Sequence, residues 1–291
     1  MDAPITVTGL RKTYGSREAL DGIDLTIEAG EVFALLGPNG AGKTTAVEIL
    51  EGFRRRDGGD VSVLGVDPED ADLAWRNRIG IVLQSSTGLD LLTPREAIAS
   101  NAKVYRTPRA VDEVLAAVGL VDKADDRIGK LSGGQRRRLD VGLGIVGRPE
   151  LLFLDEPTTG FDPQARRDFW DLIRSLADGG TTILLTTHYL DEAEHLADRV
   201  GVIAAGRMLA LDTPANLGGR ASSEATVSWE EGGVRRSERT SLPTQYVTAL
   251  AARLGGEVPG LTVTRPSLED TYLSLIAPHH DAEAELVAVS A

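Results

Sequence analysis

The chain has 291 residues, 42% apolar and 26% charged, the composition of an ordinary folded protein with room for one large domain and an appendage. Its net charge of −13 argues against a general binder of nucleic-acid backbone, which needs a broad basic surface. There is no cysteine, so disulfides and thiolate metal sites are excluded and a reducing cytosolic setting fits.

The opening MDAPITVTGLRK has neither the basic flank nor the apolar core of a signal peptide. No run approaches the roughly eighteen apolar residues of a membrane span, so any pore has to belong to another polypeptide. Up to about Gly219, apolar β-type runs alternate with helical stretches. Segments 5–10, 23–27 and 60–63 alternate in polarity, as in a partly exposed antiparallel sheet. Segments 31–36, 79–83, 151–155, 182–187 and 199–204 are almost continuously apolar, which predicts parallel strands covered on both faces. Between about 92 and 147 strand signals vanish. Thr93-Pro94-Arg95-Glu96 reads as a capped helix start, and Val111, Val114, Leu115 and Val118 form a helical stripe. A helical subdomain therefore interrupts the α/β core. The arginine triplets at 54–56 and 136–138 read as solvated helix faces.

From about Ala221 to 276 the pattern changes to a small α+β appendage. A hairpin is expected to turn at Gly232-Gly233, a helix over 242–254 places Tyr246, Leu250 and Leu254 on one face, and 261–263 is strand-like. Ser267-Leu268-Glu269-Asp270 opens a last helix with a capping box, and 277–291 reads as a disordered tail.

The chemistry concentrates in three places. Gly37-Pro38-Asn39-Gly40-Ala41-Gly42-Lys43-Thr44-Thr45 follows a β-type run and opens a helix, the context a P-loop requires. Its glycines let backbone amides converge on phosphates at a helix N-terminus. Lys43 is placed for the β- and γ-phosphates, and the Thr44 hydroxyl for Mg²⁺. Leu151-Leu152-Phe153-Leu154-Asp155-Glu156-Pro157 is an apolar strand ending in two carboxylates. Asp155 is placed to hold Mg²⁺, and Glu156 to act as general base toward water. Between these motifs, Leu131-Ser132-Gly133-Gly134-Gln135 reads both as a helix cap and as a glycine-lined anion site.

LSGGQ between a P-loop and LLFLDEP resembles the signature of the ABC ATPases, over about residues 5–217. The resemblance implies a P-loop NTPase core of α/β class, with an antiparallel β subdomain and the inserted helical one. It implies that Tyr14 stacks on the adenine of ATP, that Gln84 senses Mg²⁺ and faces a membrane subunit, that Asp162 belongs to the D-loop, and that His188 contacts the γ-phosphate. Gly37, Asn39, Gly40, Gly42, Lys43, Thr44 and Thr45 would hold one face of the nucleotide. Ser132, Gly134 and Gln135 would hold the other face of a second subunit's nucleotide, in a head-to-tail homodimer or a pair with a paralogous ATPase. Thr44, Gln84 and Asp155 would hold Mg²⁺. Phe161 stands where the family commonly has Leu, and Arg136-Arg137-Arg138-Leu139-Asp140 departs from its commoner run. Thr158-Thr159-Gly160, 136–140 and Pro266-Ser267-Leu268-Glu269-Asp270-Thr271-Tyr272-Leu273 are similar to the drug-resistance export branch. The expected role is the ATPase of an exporter, docked to a separate multi-span permease at the cytoplasmic face of the membrane, with no nucleic acid. An importer's ATPase and a non-transport ABC ATPase are the alternatives.

Overall fold

The computed structural model describes residues 3–82, 88–159 and 161–289, with side chains to 278. The chain divides into two compact units, Met1–Leu209 and Ala210–Ala291.

The first unit opens with strands β1 (Ile5–Tyr14) and β2 (Arg17–Ile27), an antiparallel pair longer than their apolar stretches predict. Residues 11–22 are mostly polar, so no alternation betrays them, and Tyr14 pairs with Arg17 across the turn. Ile5, Val7 and Leu10 point into the core while Thr6, Thr8 and Arg11 are exposed, the signature of a half-buried sheet. Strand β3 (Val32–Leu36) is buried at all five positions and leads through the glycine loop into helix α1 (Lys43–Leu50). Strand β4 (Gly58–Val63) returns beside β1, completing a three-stranded sheet of order β2-β1-β4.

A short helix α2 (Leu73–Arg76) precedes strand β5 (Ile79–Val82). Helices α3 (Pro94–Ala102), α4 (Val111–Ala117) and α5 (Gly133–Ile145) then form the inserted subdomain, with no strand among the described residues. The cap of α3 is reciprocal: the Thr93 amide donates to Glu96 Oε2 at 2.8 Å and the Glu96 amide to Thr93 Oγ1 at 3.1 Å.

Strand β6 (Leu151–Asp155), helix α6 (Pro163–Asp178), strand β7 (Thr182–Thr187), helix α7 (Leu190–Leu196) and strand β8 (Arg199–Ala204) alternate as crossover units. With strand β9 (Arg207–Asp212) they build a six-stranded sheet of order β5-β6-β7-β3-β8-β9. β3 lies between β7 and β8, both parallel to it, so the loops after β3, β6 and β7 emerge at one end of the sheet. Ligands gather at such carboxyl ends in open α/β sheets.

The second unit begins before the change of texture near Ala221, because residues 217–222 pack with the last helix. Leu217 is fully buried, and a Cβ on Gly218 would meet Thr271 Cγ2 at 2.7 Å. Strands β10 (Ala225–Glu231) and β11 (Val234–Thr240) form the hairpin, with Gly232 and Gly233 both at positive φ as the two-residue turn demands. Helix α8 (Pro243–Leu254) lays Tyr246, Leu250 and Leu254 on Val227 and Trp229, and strand β12 (Thr262–Thr264) pairs with β10. Helix α9 (Leu268–Val289) is capped by Ser267, whose amide donates to Asp270 Oδ2 at 2.8 Å. It continues past 277, where the sequence reads as a disordered tail. Ala, Glu and Leu dominate residues 282–288, and these are strong helix formers.

Candidate functional site

At the carboxyl end of the large sheet a cavity of about 640 Å³ opens between the glycine loop, the turn of β1 and β2, and the end of β6. The loop that shapes it depends on two left-handed glycines, Gly40 at φ 82° and Gly42 at φ 108°. At Gly42 a side chain has no room either, since a Cβ would stand 2.5 Å from the Ala19 carbonyl. Asn39, Gly40, Gly42, Lys43, Thr44 and Thr45 all line the cavity, as does Tyr14. Gly37 contributes through its carbonyl, which accepts from Lys43 Nζ at 2.5 Å, while the Pro38 carbonyl accepts at 3.1 Å. Lys43 is buried, and burial pulls its ammonium below the usual lysine range against the pull of Glu156 and Asp155.

Asp155 and Glu156 face this loop from the end of β6 and line the same cavity. Asp155 Oδ1 accepts from Thr186 Oγ1 at 2.5 Å, which orients its carboxylate from the neighbouring strand. Glu156 sits at φ 43°, in the left-handed region where a non-glycine residue is uncommon. Its amide donates to the Thr186 carbonyl at 3.0 Å, so β7 holds the turn in place. Consecutive carboxylates are thereby aimed in different directions, one anchored to β7 and one turned toward His188. Glu156 Oε1 lies 3.2 Å from His188 Nδ1, and the His188 ring rests on Tyr189 with centroids 4.1 Å apart.

Ser132, Gly134 and Gln135 do not line this cavity. They form the N-terminus of α5, with the Ser132 amide donating to Gln135 Oε1 at 3.0 Å and the Gln135 amide to Ser132 Oγ at 3.3 Å. Asp162 caps α6, accepting from the Gln164 and Ala165 amides at 3.0 and 2.9 Å. Phe161 is accommodated edge-on against Phe169, with ring centroids 5.6 Å apart. Gln84 and Gly160 lie outside the described residues.

Two residues that sequence reasoning passed over also shape the cavity. Arg17 lines it and donates through Nη2 to the Gly40 carbonyl at 2.9 Å; Ala19 lies beneath Gly42. Their signal was only proximity to Tyr14 across a polar hairpin. The triplet at 136–138 also departs from a uniformly solvated face. Arg136 pairs with Asp90 and Arg138 with Asp168, but Arg137 is 6% exposed and turns inward.

The family model described as ABC transporter matches residues 20–159. Over 99% of its length the chain is 40% identical to a daunorubicin resistance ATP-binding protein of Streptomyces coeruleorubidus, 87% of which is covered. The chain belongs to the ABC transporter family. As an ABC ATPase it binds and hydrolyses ATP, and by sequence it falls with the drug-resistance branch of ATP-binding subunits. It is also 40% identical to a Nod factor export ATP-binding protein of Burkholderia lata, over 73% of this chain and 71% of that one. Among solved structures, the Clostridium perfringens subunit cbiO1, part of the ABC transporter complex cbiONQ, superposes with a TM-score of 0.67 at 27% identity. That match covers 74% of this chain and 90% of the other. The ABC ATPase core therefore carries the glycine loop, the two carboxylates and the signature segment in one fold.

Proposed function

We propose that the chain powers an exporter of drugs or other hydrophobic compounds by hydrolysing ATP at sites completed by a second ATPase subunit. The observation that carries this reading is the convergence of Lys43, Thr44, Asp155 and Glu156 on one cavity, with His188 against Glu156. The roles of its relatives in drug resistance and Nod factor export favour outward transport over import.

Lys43 meets the β- and γ-phosphates, the glycine-loop amides cradle them, and Tyr14 offers its exposed ring to the adenine. Glu156 takes a proton from the attacking water, and His188 holds the γ-phosphate end while steadying the Glu156 carboxylate. The oxygen donors Thr44 and Asp155 fit a Mg²⁺ ion, with Gln84 as the third expected donor. Among the described residues no cluster of three or more His, Cys, Asp or Glu forms a self-sufficient metal cage. A Mg²⁺ ion held by Thr44 and Asp155 would neutralise charge developing on the phosphates.

Ser132, Gly134 and Gln135 stand apart from the chain's own cavity, and a glycine-lined helix N-terminus is suited to the γ-phosphate of a nucleotide held by a partner. ATP then joins two subunits, with Asp162 at their junction, and hydrolysis releases them. A homodimer supplies two such sites; a paralogous partner would supply its own half. No helix among the described residues is long and apolar enough to cross a membrane. In this reading a separate permease supplies the pathway for cargo and holds the chain at the cytoplasmic face.

The test is ATP-driven uptake of a labelled hydrophobic drug into inside-out vesicles from cells expressing the chain with its permease. Uptake that disappears in Lys43→Ala supports the export reading. Equal uptake with the parent and the variant, or ATP-driven movement in the opposite direction, contradicts it.

A further inference from the structure

The inward turn of Arg137 places a rigid cationic fork against the backbone that carries Glu156. Its Nη2 donates to the Asp155 carbonyl at 2.6 Å and its Nε to the Pro157 carbonyl at 3.0 Å. These are the two residues flanking Glu156, and Glu156 itself holds the left-handed φ of 43°. A non-glycine residue stays in that region only when its surroundings over-determine it. The other restraint comes from β7, through the hydrogen bond from the Glu156 amide to the Thr186 carbonyl. The catalytic turn is thus gripped from two sides, by β7 and by α5.

The origin of Arg137 gives this grip its consequence. It sits on the second turn of α5, the helix capped by Ser132 and Gln135, whose N-terminus is the segment offered to the partner's nucleotide. A planar guanidinium makes both bonds in one fixed geometry, which a lysine ammonium does not reproduce. Burial holds the guanidinium below its usual range, opposed by Asp140, Asp155 and Glu192. Glu192, on α7 just after His188, is wholly buried and lies against Thr187 and Thr158. So the turn from 155 to 158 is backed by Arg137 of α5 and by the buried Glu192 of α7.

We propose that Arg137 is a positioning residue for hydrolysis: it ties the Glu156 turn to the signature helix, so that engagement of Ser132 by the partner's ATP sets Glu156 of the same chain. This rests on the roles of Glu156 and Ser132 given above. Arg137 touches neither nucleotide pocket, so its loss should act on turnover and leave ATP affinity alone.

The experiment compares Arg137→Met and Arg137→Lys with the parent, as full-length chains, in steady-state ATP hydrolysis and in binding of a fluorescent ATP analogue. Arg137→Met should lower kcat by about 10- to 100-fold, the scale of a misplaced catalytic group, with affinity within about two-fold of the parent. Arg137→Lys, which keeps the charge and can reach one carbonyl, should fall between them. Parent-like kcat in a folded Arg137→Met would overturn the proposal, as would equal losses of kcat and of ATP affinity. If Arg137→Met does not fold, Arg137→Lys decides: an unchanged kcat overturns the proposal, and a lowered kcat at unchanged affinity supports it. Glu156→Gln is measured in parallel. If it hydrolyses ATP at the parent rate, the underlying assignment of Glu156 fails; if it is inert and the Arg137 variants are parent-like, only the positioning role fails.

Discussion

Glu156 Oε1 and His188 Nδ1 stand 3.2 Å apart, although the two residues leave different strands of the sheet. The contact exists because β6 and β7 are parallel neighbours, so Asp155 pairs with Thr186 and the residues after each strand end side by side. His188→Ala should therefore lower kcat by about 100-fold or more while leaving ATP binding near the parent level, the pattern of a contact made to the reacting phosphate. Single-turnover hydrolysis alongside a nucleotide-binding titration checks this. A large loss of affinity with intact turnover would place His188 in ground-state binding instead.

Ser132→Arg tests the second half of the site. The side chain of Ser132 caps α5 and does not line the chain's own cavity, so the variant should bind ATP normally. The bulk of an arginine side chain at this helix N-terminus should fill the space that a partner's nucleotide has to enter, so that the anion-binding amides are no longer reachable. Light scattering with Mg-ATP, in a background unable to hydrolyse, should report monomers for Ser132→Arg and dimers for the parent surface. Lost cap hydrogen bonds cost about 1 kcal/mol, too little to unfold the domain.

Glu51 gives the unit that carries the site a pH dependence. It is 8% exposed at the end of α1, and burial first, then the charges of Asp155 and Glu48, push its carboxyl up from 4.5 to about 8. The folded state thus keeps a proton up to about pH 8 that the unfolded chain releases near 4.5. Its contribution to stability is complete below 4.5, declines as pH rises through that interval, and is flat above it. The swing is on the order of a few kcal/mol. Thermal melting from pH 5 to 9 should show Glu51→Gln gaining on the parent as pH rises. Parallel curves for the two proteins would remove Glu51 as the source.

Much of this architecture was legible in the chain because its signals are local. The run 31–36, the glycines after it and Lys43 at a helix start share one short stretch, and β3, the loop and α1 follow them closely. The hairpin at Gly232-Gly233 and the Thr93 cap were equally readable, since a turn and a cap are each set by a few neighbouring residues. Arg17 and Arg137 were not. Both act on the backbone of segments distant in sequence, Gly40 and Asp155 with Pro157, and an arginine that bonds carbonyls has the same composition as one that is solvated. The extension of β1 to Tyr14 was hidden for a related reason. Residues 11–14 owe their strand to pairing with β2 rather than to a buried face. Periodicity reports burial, and it is silent where pairing alone makes the structure.

Glu156→Gln is the measurement that tests the central claim most directly. The amide keeps the size of the side chain and removes the base, in a residue that lines the nucleotide cavity and touches His188. The variant should bind Mg-ATP with parent affinity, turn over at least about 100-fold more slowly, and accumulate as an ATP-bound dimer on gel filtration. Hydrolysis at the parent rate, with no trapped dimer, would contradict both the assignment of the base and the two-subunit site built around it.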